Sequence, residues 1–281
     1  MTDIIQQVAL KLSLRLQHVQ EVAALLDEGA TIPFIARYRK DRTGAMDEVQ
    51  IQQVQDEIKM LKEFTERKLF IEKTITEQGN MTELLQQKIN GATTISELED
   101  IYLPYKPKRK TKAQTAKENG LEPLASLILQ QTNSDLHKEA QGFFNEKITT
   151  AEEALQGARD IIAEAINEDA TVRAAMRKLF EDTALVKTKI TEGKEAEAAK
   201  YRDYFEFSEP VKKIPSHRIL AVLRGFMEGF LKLSIEPTEE DALYLLEKNY
   251  IKGMSESGIQ VKKAIKDAYK RLLQPAMETE C

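Results

Sequence analysis

Apolar residues recur every three to four positions through most of the chain, and this spacing is typical of amphipathic α-helices. The longest such run lies between Met46 and Gln78, where polar residues separate the apolar positions, and Gly79 follows it as a stop signal. We predict one helix over 47–78, about 48 Å long at 1.5 Å per residue. Because its heptad-like repeat drifts, we expect it to pack within its own chain and not as a coiled-coil dimer.

Shorter helical patterns precede this long segment. Residues 3–12 and 14–28 carry apolar positions at helical spacing, and Pro33 suits the first turn of a third helix over 33–39. Phe34, Ile35 and Tyr38 are expected to form its apolar side. Three short helices joined by tight turns have the outline of a helix-turn-helix. This outline is frequent in all-α chains, most of which bind no DNA, so it is weak evidence for DNA binding.

Helical patterns continue to residue 184, and polar residues mark several helix starts. Capping boxes are predicted at Ser96–Glu99 and Thr150–Glu153. The same reasoning assigns helix caps to four further residues, which are Thr111, Asp169, Ser216 and Thr238. A final helix is expected to begin at Ser257 or Gly258 and to end at Pro275.

The pattern changes at Leu185. Residues 185–190 and 230–235 alternate between apolar and polar positions, which predicts two short strands. A two-stranded pair is marginal alone, so it should pack against helices. The expected fold is therefore mainly α and multi-helical, with a helix-turn-helix-like N-terminus, one long helix and a small two-stranded element near 185–236. We predict a helical domain over 1–184 and a second segment over 185–281.

Composition agrees with an ordered, helix-rich protein. The 281 residues are 42% hydrophobic and 31% charged, with only 12 glycines and 8 prolines. Cys281 is the single cysteine, so no intrachain disulfide or cysteine-based metal site is expected. No apolar stretch approaches the roughly 18 residues of a membrane span, and the N-terminus does not resemble a signal peptide. We expect a cytoplasmic protein without a membrane partner.

Charge is distributed unevenly along the chain. Between Pro104 and Gly120, which we call the basic stretch, six cations face only Glu118, a local charge of +5 in a chain of net charge −5. Pro104 and Pro107 fix their own φ and bias the residue before them towards extended backbone. The basic side chains should therefore start on a non-helical segment and be displayed, which suggests an anionic partner. The alternative is a solvated basic turn. The cations are Lys106, Lys108, Arg109, Lys110, Lys112 and Lys117.

Two further basic groups are candidates for binding nucleic acid. One contains Arg37, Arg39, Lys40 and Arg42, opposed only by Asp41. The other contains Arg218, which we expect to follow a capped helix start where anions bind well. It lies near four aromatic residues that either stack on single-stranded nucleic acid or, as we favour, pack into the helical body. They are Tyr201, Tyr204, Phe205 and Phe207.

Motifs that carry chemistry are not found. The sequence has no phosphate-binding GxxxxGK[ST] loop, no GxGxxG, no HExxH and no GxSxG. Its three histidines, His18, His137 and His217, are far apart and lack partners at metal-ligand spacing. We therefore expect no catalytic residue, no metal site and no cofactor.

Three segments carry a resemblance to a known family. They are TIPFIARYRKDRTGAMDE at 31–48, ELEDIYLPYKPKRKTKAQTAKENGLEPLA at 97–125, and AKYRDYFEFSEPVKKIPSHRILAVLRG at 199–225. Together they resemble the N-terminal part of the bacterial Tex family of transcription accessory proteins. Members of that family continue with an RNase H-like domain, helix-hairpin-helix elements and an OB-fold RNA-binding domain, so we expect this sequence to be a fragment.

The resemblance implies a scaffold from a protein that binds RNA or DNA and acts in transcription. It carries over no catalytic residue, so we expect the chain not to be an enzyme. The first hypothesis is a nucleic-acid-binding module that uses the three basic groups. The second is a protein-binding scaffold whose basic stretch docks onto the transcription machinery.

Overall fold

The computed structural model describes residues 2–107, 110–132 and 135–280. They form two compact units, Met1–Tyr105 and Lys106–Cys281. The predicted division at 184/185 falls inside the second unit, because Phe180 and Ala184 share a core with Leu246.

The described residues of the first unit form helices joined by turns, and the long α5 matches its predicted bounds to within one residue at each end. Its 30 residues begin at the Asp47 cap and are covered on the apolar side by helices of the same unit. Ile51 and Val54 contact the core of the first three helices, whereas Ile71 and Ile75 contact α6 and α7. The helices are α1 (Thr2–Lys11), α2 (Leu16–Asp27), α3 (Ile32–Tyr38), α4 (Lys40–Thr43), α5 (Glu48–Glu77), α6 (Glu83–Gly91) and α7 (Ile95–Tyr102).

The second unit packs its helices around α11, which is buried along much of its length. The Thr111, Thr150, Asp169 and Thr238 caps that we predicted are all present. The helices are α8 (Lys112–Glu118), α9 (Glu122–Gln130), α10 (Leu136–Gln141), α11 (Ala151–Glu168), α12 (Ala170–Thr183), α13 (Ser216–Met227), α14 (Glu239–Tyr250), α15 (Glu256–Ala268) and α16 (Gln274–Glu280).

A small antiparallel sheet lies within this unit, in the order β2-β1-β3. Its strands are β1 (Leu185–Ile190), β2 (Glu206–Pro210) and β3 (Leu231–Glu236). The two predicted strands are present, and β2 is an addition. It is five residues long and ends in Pro210, which an edge strand tolerates but which weakened the strand signal in the sequence. The fold is mainly α, as predicted.

Several predicted helix boundaries are wrong. The capping box of α7 uses Thr94 and Glu97, not Ser96 and Glu99. Ser216 makes no cap hydrogen bond, and α13 begins directly after Pro215. Pro275 does not end the last helix.

At the C-terminal end, α15 begins after the Ser255 cap and passes through a π-helical turn, Tyr269–Leu273, into α16. Proline usually breaks a helix because its ring clashes with the carbonyl four residues earlier, here that of Arg271. The wider π turn lies at that carbonyl, so the helical path continues through Pro275.

Candidate nucleic-acid interface

The first candidate surface lies at the end of α3 and the start of α4. We call it the α3 patch and define it by Phe34, Arg37, Tyr38, Arg39 and Lys40. Arg37, Tyr38 and Lys40 are exposed, and 65% of Tyr38 is accessible to solvent. The predicted apolar side of α3 is therefore wrong in part, because Ile35 is buried whereas Phe34 and Tyr38 face water.

Within the α3 patch the cations are only weakly neutralised. Arg37 lies 4.0 Å from Glu48, and both side chains are exposed, so this ion pair contributes little. Among the described residues, no carboxylate lies within ion-pair distance of Lys40 or Arg39. The guanidinium of Arg39 lies 5.0 Å from the centre of the Phe34 ring and donates to the carbonyl of Tyr38. The patch thus keeps a net positive charge.

Arg42 differs from its neighbours. Its guanidinium lies 2.5 Å from a carboxylate oxygen of Glu21, and its Nε donates to the same oxygen at 2.7 Å. Arg42 therefore joins α4 to α2, and its charge is largely compensated within the unit.

The basic stretch at the start of the second unit is partly neutralised by its own chain. Lys110 lies 2.7 Å from Glu118, and this hydrogen bond lowers the pKa of the Glu118 carboxyl. Lys117 lies 4.0 Å from Glu164. Lys106 and Lys112 are exposed and make no ion pair with a described residue. Lys108 and Arg109 lie outside the described residues, so the structure does not place these two candidates.

A cavity of about 360 Å³ lies beside Lys112. Lys147 and Asp160 also line it. Burial raises the pKa of the Asp160 carboxyl, and this effect is opposed by the charges of Arg271 and Lys112. Lys112 therefore lies near the Asp160 carboxylate without forming an ion pair with it.

Arg218 does not have the environment that the sequence suggested. The helix start before it lacks the predicted side-chain cap. Its guanidinium instead forms a hydrogen-bonded ion pair with Glu209 of β2. The second carboxylate oxygen of Glu209 is buried without a hydrogen-bond partner among the described residues, so the carboxylate depends on Arg218 for its compensation.

Of the four aromatic residues near Arg218, Tyr201 is buried and Tyr204, Phe205 and Phe207 are partly buried. Tyr201 is buried against Phe230, with ring centres 6.0 Å apart. Tyr204 and Phe207 form an edge-to-face pair at 5.3 Å. An exposed combination of aromatic rings and cations is found on α3 instead. Sequence reasoning missed it because the i, i+4 spacing of Phe34 and Tyr38 equally fits a buried helix face.

The described part of the chain holds no group of three or more histidine, cysteine or acidic residues arranged to bind a metal. Cys281 lies outside the described residues. Within the described ranges, no helix combines the length and the apolar character of a membrane span.

Comparisons with known proteins agree with the resemblance seen in the sequence. Residues 131–279, more than half of the chain, match the family model described as Tex central region-like. Residues 2–76 match the Tex-like protein N-terminal domain.

Individual proteins with Tex names are also similar to this chain. The chain is 44% identical to the transcriptional accessory protein Tex of Neisseria gonorrhoeae over 240 residues, which are 85% of this chain and 32% of the relative. It is 45% identical to the protein tex of Bordetella pertussis, over 83% of this chain and 30% of that one. The human S1 RNA-binding domain-containing protein 1 is 28% identical over 73% of this chain and 21% of its own length. The chain thus spans about a third of the bacterial relatives.

Proposed function

The chain belongs to the Tex family, and from this premise we propose that it is a non-catalytic, nucleic-acid-binding part of a cytoplasmic Tex-like transcription accessory protein. The α3 patch and the basic stretch are its contacts with the phosphate backbone of RNA or DNA. The helix-turn-helix outline of α1 to α3 serves as the scaffold that holds the α3 patch.

We base this proposal on the weak neutralisation of the cations in the α3 patch. Arg37, Arg39 and Lys40 lie within four positions, and the described carboxylates leave them largely uncompensated. Like charges held together cost stability unless an anion offsets them, and nucleic-acid phosphates supply such anions at regular intervals. Lys106 and Lys112 provide the same chemistry in the second unit.

A protein-binding scaffold is the second candidate. The outward side of α13 is apolar, with Leu220, Leu223 and Met227 all exposed to water. Exposed apolar patches often mark protein-binding sites. In this alternative, the basic stretch docks onto an acidic surface of the transcription machinery.

Titration of the full 281-residue chain against a fluorescent 12-nucleotide single strand and the matching duplex, at low salt, tests the first candidate. We expect saturable binding that weakens when four cations are replaced together. The variant carries Arg37→Gln, Lys40→Gln, Lys106→Gln and Lys112→Gln.

The matched control removes four exposed cations from elsewhere on the chain. It carries Lys59→Gln, Lys73→Gln, Lys88→Gln and Lys248→Gln, and it should retain most of the affinity. Absence of binding by the wild-type chain at low salt would reject the proposal. Equal losses in the two variants would reject these residues as the interface.

A further inference from the structure

The α3 patch combines its cations with two exposed aromatic rings on one side of a helix. Phe34 and Tyr38 are four residues apart, and their ring centres are separated by 5.3 Å with a 43° angle between the planes. Tyr38 is 65% exposed and Phe34 is 40% exposed. Large aromatic side chains usually bury most of their surface, whereas both of these rings keep part of theirs in contact with water.

The arrangement around the two rings is ordered. The Arg39 guanidinium covers one side of Phe34 at 5.0 Å from its centre, and Phe34 in turn contacts Tyr38. Cation–π contact of this kind holds the Phe34 ring in place. Phe34 therefore supports Tyr38, while the more exposed Tyr38 ring remains accessible for a further stacking partner.

The charges beside Tyr38 define what that partner must be. Arg37 and Arg39 flank it in sequence, and Lys40 follows at the start of α4. A ligand that fits must present a flat π-face and carry negative charge close to it. Single-stranded nucleic acid has both in every nucleotide, whereas the bases of a duplex are already stacked on one another.

We propose that Tyr38, supported by Phe34 and Arg39, stacks on an unpaired base, so that the α3 patch binds single-stranded nucleic acid in preference to duplex. This inference rests on the proposed nucleic-acid binding and adds the kind of strand that is recognised. Arg37 and Lys40 then contact the phosphates on either side of the stacked base.

The test compares Tyr38→Leu with Tyr38→Phe in the full 281-residue chain, using the single strand and the duplex described above. Tyr38→Leu removes the ring and should weaken single-strand binding about 5- to 100-fold. Tyr38→Phe keeps the ring and should remain within about twofold of wild type. Duplex affinity should change little in either variant, because the phosphate contacts remain.

Tyr244→Leu is the matched control, since Tyr244 is similarly exposed, at 69%, on α14. It should leave single-strand affinity unchanged. Circular dichroism of Tyr38→Leu checks that the variant folds. If the wild-type chain binds and Tyr38→Leu binds the single strand as tightly, the stacking inference fails while the proposed function stands. If the wild-type chain binds neither strand, both fail.

A second readout does not depend on affinity. The chain contains no tryptophan, so Tyr38→Trp introduces a single indole at the stacking position. Its fluorescence should be quenched by the single strand and much less by the duplex, because only an unpaired base can cover the ring. Unchanged emission on single-strand binding would overturn the inference.

Discussion

Gly157 shows how a single residue places the basic stretch on the body of the second unit. A Cβ atom at Gly157 of α11 would lie 2.3 Å from Leu121 Cδ1 and 3.3 Å from Ala116 Cβ. The absence of a side chain there allows α8, which carries Lys112, to approach α11 closely. The identity of this residue thus affects the position of a candidate phosphate contact.

We predict that Gly157→Ala destabilises the protein by about 1–3 kcal/mol through overpacking, although alanine has the higher helix propensity. Urea unfolding followed by circular dichroism measures this change. Gly253→Ala is the control in the same unit, because a Cβ atom there meets nothing within 4 Å, and it should be close to neutral. A neutral Gly157→Ala would show that α8 does not depend on this contact.

The burial of Asp160 predicts that the stability of the folded protein depends on pH. Burial raises its pKa above the unfolded value, so the ionised form costs stability in the folded state. A carboxyl group with a raised folded pKa stabilises the protein at low pH, and this contribution is lost as the pH rises through that pKa.

Asp160→Asn should therefore be more stable than wild type at pH 7, and the advantage should vanish below about pH 4, where the wild-type carboxyl is protonated. The free energy of unfolding of the two proteins, measured between pH 3 and pH 8, checks this. Lower stability of Asp160→Asn at pH 7 would mean that the contact between Asp160 and Arg271, at 3.5 Å, outweighs the cost of burial.

At the scale of elements, local signals predicted most helices but not every boundary. Thr150, Asp169 and Thr238 each precede an apolar helical pattern, and each is a cap. The start of α7 was ambiguous because Thr94 and Ser96 are both followed by glutamate three residues later. A cap at Thr94 allows α7 to begin at Ile95 and to bury Leu98 and Tyr102, and tertiary packing of this kind is not visible in the motif.

Substitution at Thr94 and at Ser96 distinguishes the observed cap of α7 from the predicted one. Thr94→Ala should destabilise the first unit by about 1 kcal/mol, because the Thr94 side chain accepts a hydrogen bond from the Glu97 amide. Ser96→Ala should have almost no effect, since Ser96 is inside the helix. The comparison uses urea unfolding of each variant, and a larger effect of Ser96→Ala would contradict the observed helix start.

The sheet and the last helix show why other elements were missed or misplaced. Among the described residues, strand β2 pairs only with β1, and the pairing runs from Leu185 opposite Pro210 to Lys189 opposite Glu206. Such pairing between distant segments has no local signature. Pro275 was expected to end a helix, but the π turn before it alters the hydrogen-bonding pattern of the backbone. No local sequence motif predicts such a turn.

In the molecule as a whole, the positions of the basic clusters could be predicted from the sequence, but the carboxylates that pair with them could not. The basic stretch and the cluster of Arg37, Arg39, Lys40 and Arg42 were both predicted from the sequence. The pairing of Lys110 with Glu118, of Arg42 with Glu21 and of Arg218 with Glu209 depends on the fold. Among the described candidates, the cations that make no close ion pair are therefore Arg37, Arg39, Lys40, Lys106 and Lys112.

The salt dependence of nucleic-acid binding shows how many of these cations contact phosphates. If Arg37, Lys40, Lys106 and Lys112 each neutralise one phosphate, replacing all four with glutamine should reduce the slope of log K against log salt by about 3 on a single strand. The Lys59, Lys73, Lys88 and Lys248 control should keep the wild-type slope. We expect this difference between the two variants; equal slopes for both would show that these four cations are not the phosphate contacts.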